Sequence, residues 1–477
     1  IGGASFEGTT TTAAGGDPDA MPLDAMPLDA MDEGTALFCL DALVGVTLRN
    51  RDRARLTLPR CYAFLRAIVR GAKTPGPLAE RAIFELLRIA RRLLPYKEDL
   101  TDELLDALRL MFALEPAVAD ACIERIAREL AALVDVAGDA VVSAKGWDTV
   151  CKLLMASARH PDAAKHGFDA VRGIVRVPEV DPKETRSARP ENNEDHTSGP
   201  LARTRVRPWN ARPALEALGA FADSRQGGDE RSIHAVGLIA DVAHALCEMC
   251  DGAADDGAIA VRHAALYAPP GSPATNSPAE ALAHLRAETL EGAWADCVRE
   301  LRRIATSEAR DAVRDDAVLT LQRVVLAADG LRAPAAHWMR LMDDVLLPTL
   351  GDLGEACAAA GGGGGERGAA FERTALLAVS CVAKTFLMRL PAMLESASSA
   401  EFAAAWGKAL DRMRSVGDAA RGEELREAVP EAAKNMLLVA AAQGVLAPGA
   451  PEGLWETTWK RAAAIDPGLT PAIVGAS

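Results

Sequence analysis

ERAIFELLRIARRLLPYKEDLTDELLDALRLMFAL, residues 80–114, decides how this chain folds. Ile83, Leu86, Leu87, Ala90, Leu93 and Leu94 recur at the three-and-four spacing that lays one apolar stripe along a helix, with arginine and glutamate on the opposite face. Pro95 ends that helix, because it has no amide hydrogen to donate and its ring clashes with the carbonyl four residues back. The spacing then predicts a restart at Thr101, whose hydroxyl accepts from the free amides of the new first turn while Asp102 and Glu103 suit its positive end. Leu104, Leu105, Leu108 and Phe112 form a second stripe. Neither helix can bury its stripe alone, so the pair needs neighbours of the same kind.

The remaining chain supplies them. Ala119, Cys122, Ile123, Ile126, Leu130, Leu133 and Val134 make another stripe, and Trp147, Val150, Cys151 and Leu154 begin the next. Arg159-His160-Pro161-Asp162 breaks that helix, and Gly167 to Val171 lies in its successor. Trp294, Cys297, Leu301 and Ile304 lead through Arg310 to Ala317 into Val318, Leu321, Val324 and Val325. An Asp and Arg pair at such a corner bonds neighbouring turns in stacked hairpins, although helix capping alone also explains acids there. Leu376, Val379, Val382 and Phe386, then Trp406 and Met413, then Pro430 to Leu446 and Leu454 to Ile465 complete the series. No alternating strand pattern occurs. The reading is all-α: a HEAT/armadillo-like helical-hairpin solenoid with a disordered amino-terminal tail and long loops.

Composition supports that reading. At 477 residues the chain exceeds one compact core, 49% hydrophobic residues can bury a large one, and only 4% are aromatic, which favours helices packed through alanine and leucine. We divide it into a tail (1–34, with Met-Pro-Leu-Asp-Ala repeated at 21–25 and 26–30), helical regions at 35–176, 214–356 and 371–477, a linker at 177–213, and a glycine-rich loop at 357–370. A further loop at 251–278 carries Pro269-Pro270-Gly271. The longest late uncharged run, 435–451, falls short of the ~20 apolar residues of a membrane span. The chain opens Ile-Gly-Gly, with no initiator methionine or signal sequence, and is expected to be a piece of something longer.

A formal charge of −14 argues against non-specific attraction to nucleic acid. Nine scattered cysteines suit buried, reduced thiols. His244, Cys247, Cys250 and His263 are metal-ligand types, but no second cysteine pair follows and a structural zinc wants four convergent ligands. The glycine run 361–365 lacks the Gly-Lys-Ser/Thr ending of a phosphate loop and follows no strand. No nucleophile elbow appears, so neither a catalytic residue nor a cofactor is expected.

One segment is strongly basic. Arg49, Arg51, Arg53, Arg55, Arg60, Arg66, Arg70 and Lys73 stand against the single acid Asp52. Near an anionic bilayer each such charge adds ~1 kcal/mol, screened within about a Debye length. The same residues would equally form a solvated face over Leu56, Tyr62, Leu65 and Val69.

Several runs resemble, in order, the region after the catalytic domain of the large Arf guanine nucleotide exchange factors of the GNOM/GBF class. They include Leu48 to Arg53, Leu93 to Leu105, Ala158 to Pro161 with Gly167 to Val171, and Glu230 to Ile233. They continue with Val313-Arg314 and Leu319 to Arg323, Ala383 to Leu387, Val429 to Glu431 with Lys434 to Val439, Gly444 to Leu446, and Leu454 to Trp459. The resemblance implies a cytosolic protein held peripherally on Golgi or endosomal membranes. A separate Sec-seven domain, which we place nowhere here, would insert a glutamate finger into an Arf-family GTPase and expel GDP. This stretch would be the regulatory, non-enzymatic arm, with membrane lipids, small-GTPase recruiters and a second copy of itself as implied partners. Many family aromatic positions are alanine here, and the loops at 177–213, 251–278 and 361–365 are rewritten. Two other readings stand beside it: a freestanding HEAT-like adaptor, and a helical metalloenzyme around His244 and Cys247.

Overall fold

In the computed structural model the described residues are 32–177, 204–254, 292–331, 333, 335–360, 365–396 and 398–475. The expected disordered tail, all but the ends of the 177–213 linker, most of the 251–278 loop and four of the five glycines at 361–365 lie outside them. Among the described residues every regular element is helical.

Helices α1 (Glu33–Arg49), α2 (Ala54–Gly71), α3 (Pro77–Leu93), α4 (Thr101–Leu108), α5 (Pro116–Ala137), α6 (Ala144–Ser157) and α7 (Ala164–Val175) precede the linker. Beyond it come α8 (Ala211–Asp223), α9 (Gly228–Ala254), α10 (Ala295–Ser307), α11 (Asp311–Leu326) and α12 (Ala335–Leu341). The last are α13 (Leu347–Ala360), α14 (Glu366–Ser396), α15 (Ser399–Ala419), α16 (Glu423–Ala442) and α17 (Leu454–Ile465). They stack in two layers. In one, α1, α3, α5, α7, α9, α11, α14 and α16 each pack on the next; in the other, α4, α6, α8, α10, α13, α15 and α17 do the same, with α2 beside α3 at the start. A single buried apolar cluster runs between the layers from Leu40 to Leu469. This is the nearest-neighbour architecture that separate amphipathic hairpins require.

The stacking continues across the linker, since α8 packs on α6 and α9 on α7. Residues 204–210, which the sequence assigns to the linker, are themselves packed. Val206 and Asn210 are buried, and the Arg205 guanidinium donates to the Gly173 carbonyl at 2.7 Å and to Asp139 at 2.9 Å. Where layers approach closely the sequence is glycine: a Cβ at Gly167 would lie 1.9 Å from Ser157 Oγ and 3.0 Å from the Phe221 ring.

The deciding stretch is corrected in three respects. Thr101 is not a cap: a 3₁₀ turn at Glu98–Leu100 runs straight into α4, and the Thr101 hydroxyl is buried without a hydrogen-bond partner among the described residues. Helix α4 ends at Leu108 and tightens into 3₁₀ geometry over Arg109–Ala113. That rotation buries Met111 in place of Phe112, which is 49% exposed. Elsewhere, Pro430 does not start its helix but lies inside α16, two turns after Glu423. Similarly, helix α13 runs to Ala360 and α14 starts at Glu366, so both ends of the predicted 357–370 loop are helical.

Two stretches, Gly228–Cys250 and Glu366–Glu395, are long and apolar enough to cross a membrane, which the sequence reading did not single out. Each has 56% of its apolar window buried, and they form α9 and α14 in the middle of the array. Length and composition alone do not separate such core helices from spans.

The predicted corner at 310–317 is a built inter-repeat joint. Arg310 donates backward to the Ala222 carbonyl at 2.6 Å, the Ser224 carbonyl at 3.1 Å and the Ser232 hydroxyl at 2.9 Å. Arg314, 1% exposed, donates to Thr374 Oγ1 at 3.0 Å and to the Glu308 carbonyl at 3.2 Å, and lies 4.2 Å from the Phe371 ring centroid. Arg373 of the following repeat pairs with Asp311 at 2.7 Å and Asp315 at 2.6 Å. One corner thus fastens three successive hairpins.

Candidate binding surface

Helix α1 is apolar on both sides. Ala36, Leu40, Val44 and Thr47 are buried toward α2 and α3. On the opposite side Phe38, Ala42 and Val46 recur every four residues, and Phe38 is 73% and Val46 51% exposed. Helix α2 buries Leu58, Cys61, Leu65, Ile68 and Val69, which leaves Arg60, Arg66 and Arg70 beside that strip. Together they line an open groove of about 900 Å3. Hairpins in the middle of the array have neighbours on both sides, whereas this first one, like the last, is covered on one side only among the described residues.

The eight predicted basic residues do not act as one patch. Arg55 is paired with Asp99 at 2.8 Å and Lys73 with Glu115 at 2.9 Å, and Arg51 lies 4.6 Å from the Tyr96 ring centroid. Arg49 and Arg53 are exposed in and after the last turn of α1. Arg60, Arg66 and Arg70 line the groove, exposed and without an ion pair among the described residues. Arg66 and Arg70 lie one turn apart on α2, and Arg60 reaches the same groove from nearer the start of that helix. What sequence reasoning missed was the apolar partner strip on α1. Its signal was available: a helix apolar on opposite sides has a second face to cover.

The metal-ligand types do not converge among the described residues. His244 is exposed and lies 3.4 Å from Glu248 on its own helix. Cys247 is buried, its thiol pushed up to about 12 by burial, so it is held as the neutral form rather than a ligating thiolate. Cys250 is also buried, and its Sγ lies 3.5 Å from the Leu331 carbonyl. His263 lies outside the described residues. A second cavity of about 440 Å3 beside His244 is lined by Arg176 and Asp241, which are paired at 2.6 Å.

The described residues thus form a two-layer helical repeat array, and similarity places it in a family. Residues 294–469 match the family described as GBF1-like, tetratrico peptide repeat region. Over 92% of its length the chain is 33% identical to the ARF guanine-nucleotide exchange factors GNL1 and GNOM of Arabidopsis thaliana. A shorter stretch, 35% of the chain, is 32% identical to a Golgi-specific brefeldin A-resistance guanine nucleotide exchange factor 1 homolog of Caenorhabditis elegans and covers 8% of it. The chain therefore matches a carboxy-terminal region of the GNOM/GBF-class Arf exchange factors. It spans 27% of the length of GNL1 and of GNOM. Among solved structures, a circular tandem repeat protein overlaps 91% of the chain at 11% identity with a TM-score of 0.22, a likeness too slight to bear on the fold.

Proposed function

We propose that this chain is the regulatory, membrane-binding and partner-binding arm of a large Arf exchange factor acting in Golgi vesicle traffic. Nucleotide exchange on the Arf GTPase would be carried out by a separate domain. The observation that carries the membrane reading is the groove of the first hairpin, where an apolar strip is edged by three guanidinium groups that hold no ion pair among the described residues. Phe38 and Val46 suit the headgroup and acyl boundary, while Arg60, Arg66 and Arg70 suit lipid phosphates. Such contacts are weak individually and screened by salt, which makes attachment reversible. Recruiting small GTPases would use the long lateral surface of the array.

The test is sedimentation with phosphatidylserine-containing vesicles. Reversing Arg60, Arg66 and Arg70 to glutamate is expected to reduce pelleting strongly, and reversing Arg49, Arg51, Arg53 and Arg55 to reduce it less, because Arg51 and Arg55 are engaged within the chain. Unchanged pelleting in the first variant would remove the membrane reading.

A further inference from the structure

The second cavity, between α9 and α11, has features of a ligand site that the stacking of hairpins does not need. Its volume of about 440 Å3 falls in the range of small-molecule pockets. The walls are short: Gly237, Ala240 and Ala243 come from α9, and Val324 and Ala327 from the end of α11. A Cβ at Gly237 would meet no atom within 4 Å, so the space beside it is open rather than filled by a neighbour. The lining on α9 runs from Gly237 to Cys247, about 15 Å at 1.5 Å per residue, which bounds the length of what can lie there.

The two ends differ in chemistry. At the buried end Trp294 is fixed against His337 and Trp338, with ring centroids 5.5 and 6.5 Å away. Its side chain is fully buried, yet Nε1 finds no hydrogen-bond partner among the described residues beyond the weak thiol acceptor of Cys247. Cys247 also lines this cavity, which puts the indole N–H on the cavity side. At the mouth stand Arg176, Asp241, His244 and Arg323. Arg176 and Asp241 neutralise each other at 2.6 Å. Arg323 is exposed and donates only to Thr320 Oγ1 at 3.3 Å; Asp316, two turns back, feels its charge without forming an ion pair.

We propose that this cavity binds a small organic acid with an apolar body, a single carboxylate at Arg323 and one further oxygen that accepts from Trp294 Nε1. A carboxylate suits the free guanidinium. A second negative charge at the mouth would meet Asp241, which selects a singly charged head. The oxygen at the other end gives the buried indole the acceptor it lacks, and the alanine and valine walls cover the hydrocarbon between. The site does not touch the first hairpin, so it stands or falls apart from the membrane reading.

The experiment uses the full chain labelled with fluorotryptophan, the Trp294 line being assigned by its loss in Trp294→Phe, and titrates ω-hydroxyoctanoate, octanoate and octanediol by fluorine NMR. ω-Hydroxyoctanoate is expected to move the Trp294 line saturably and to leave the Trp147 and Trp406 lines in place. Octanoate, which lacks the oxygen for Nε1, and octanediol, which lacks the charge, should each bind about tenfold more weakly. Arg323→Gln should weaken ω-hydroxyoctanoate about tenfold and leave octanediol unchanged. Gly237→Leu, which adds bulk where there is room for it, should abolish the shift and keep the thermal melt. An unmoved Trp294 line, equal shifts of all tryptophan lines, equal affinity for the three probes, undiminished binding in Arg323→Gln, or a shift that survives Gly237→Leu would each overturn the proposal.

Discussion

At the 310–317 corner Arg310, Arg314 and Arg373 each hold two or more partners across hairpins, whereas Arg60, Arg66 and Arg70 on the first hairpin hold no ion pair among the described residues. The side chains are chemically identical, and the sequence around each set is helical. The difference is neighbours. In the middle of the array a guanidinium is enclosed by carbonyls, a hydroxyl and an aromatic ring supplied by hairpins before and after it. At the end hairpin one of those sides is missing, so the same group stays hydrated and available. Partners within reach, whether the groups enclosing buried Arg314 or the Asp311 and Asp315 carboxylates beside half-exposed Arg373, turn arginine into a fastening, and their absence leaves it as a recognition group.

The strongest way to break this contrast is Arg314→Ala, which strips Thr374 and two carbonyls of a fully buried partner. A loss of about 3–5 kcal/mol in urea unfolding is expected. A loss below about 1 kcal/mol would mean that water already reaches the site, and the two arginine sets would then differ less than their burial indicates. In the opposite sense, reversing Arg60, Arg66 and Arg70 to glutamate should leave the urea midpoint in place. It should weaken binding to anionic vesicles by on the order of a hundredfold at low salt, the equivalent of about 1 kcal/mol per charge. A shifted midpoint would show that these groups are structural after all.

A neutral pair sharpens the scale. Trp406 Nε1 donates to Thr458 Oγ1 at 2.9 Å between α15 and α17, with both side chains buried. Thr458→Val keeps the shape and removes the acceptor, and is expected to cost about 1 kcal/mol, well short of Arg314→Ala. The smallest effects belong to the open face. Arg66→Ala and Phe112→Ser should each change stability by no more than about 0.5 kcal/mol, checked by thermal melting. A larger loss at Phe112 would place its ring back in the core, as the sequence spacing had it.

That last residue shows where legibility stops. The stripes of α3, α5, α6, α10 and α11 were readable because each helix is long enough for its period to dominate, and Ile83, Leu86, Leu130, Trp147, Leu301 and Val318 are all buried as spaced. Phe112 was misplaced because α4 changes from 3.6 to about three residues per turn just before it, and no local residue announces that change. Thr101 was misread for a related reason: capping chemistry is visible in sequence, but a 3₁₀ turn leading into the helix makes the cap unnecessary. The basic half of the candidate surface was equally plain, since eight cations against one acid can be counted. Its apolar half was legible only as a second apolar side on α1, and nothing in the sequence said that this side, rather than the one with Leu40 and Val44, is left exposed.

The sequence by itself determined that the chain is helical, that its helices pair into hairpins, and that Arg49 to Lys73 carries surplus positive charge. Periodicity and composition act locally and need no partner to be read. Tertiary structure alone decided that the layers continue across the 177–213 linker, that Arg314 is buried while Arg66 is not, and that three of eight cations share a groove while three others are held by Asp99, Glu115 and Tyr96. Each of those outcomes depends on which surfaces of different helices meet, and such contact is set by packing of the array rather than by the order of residues along any one helix.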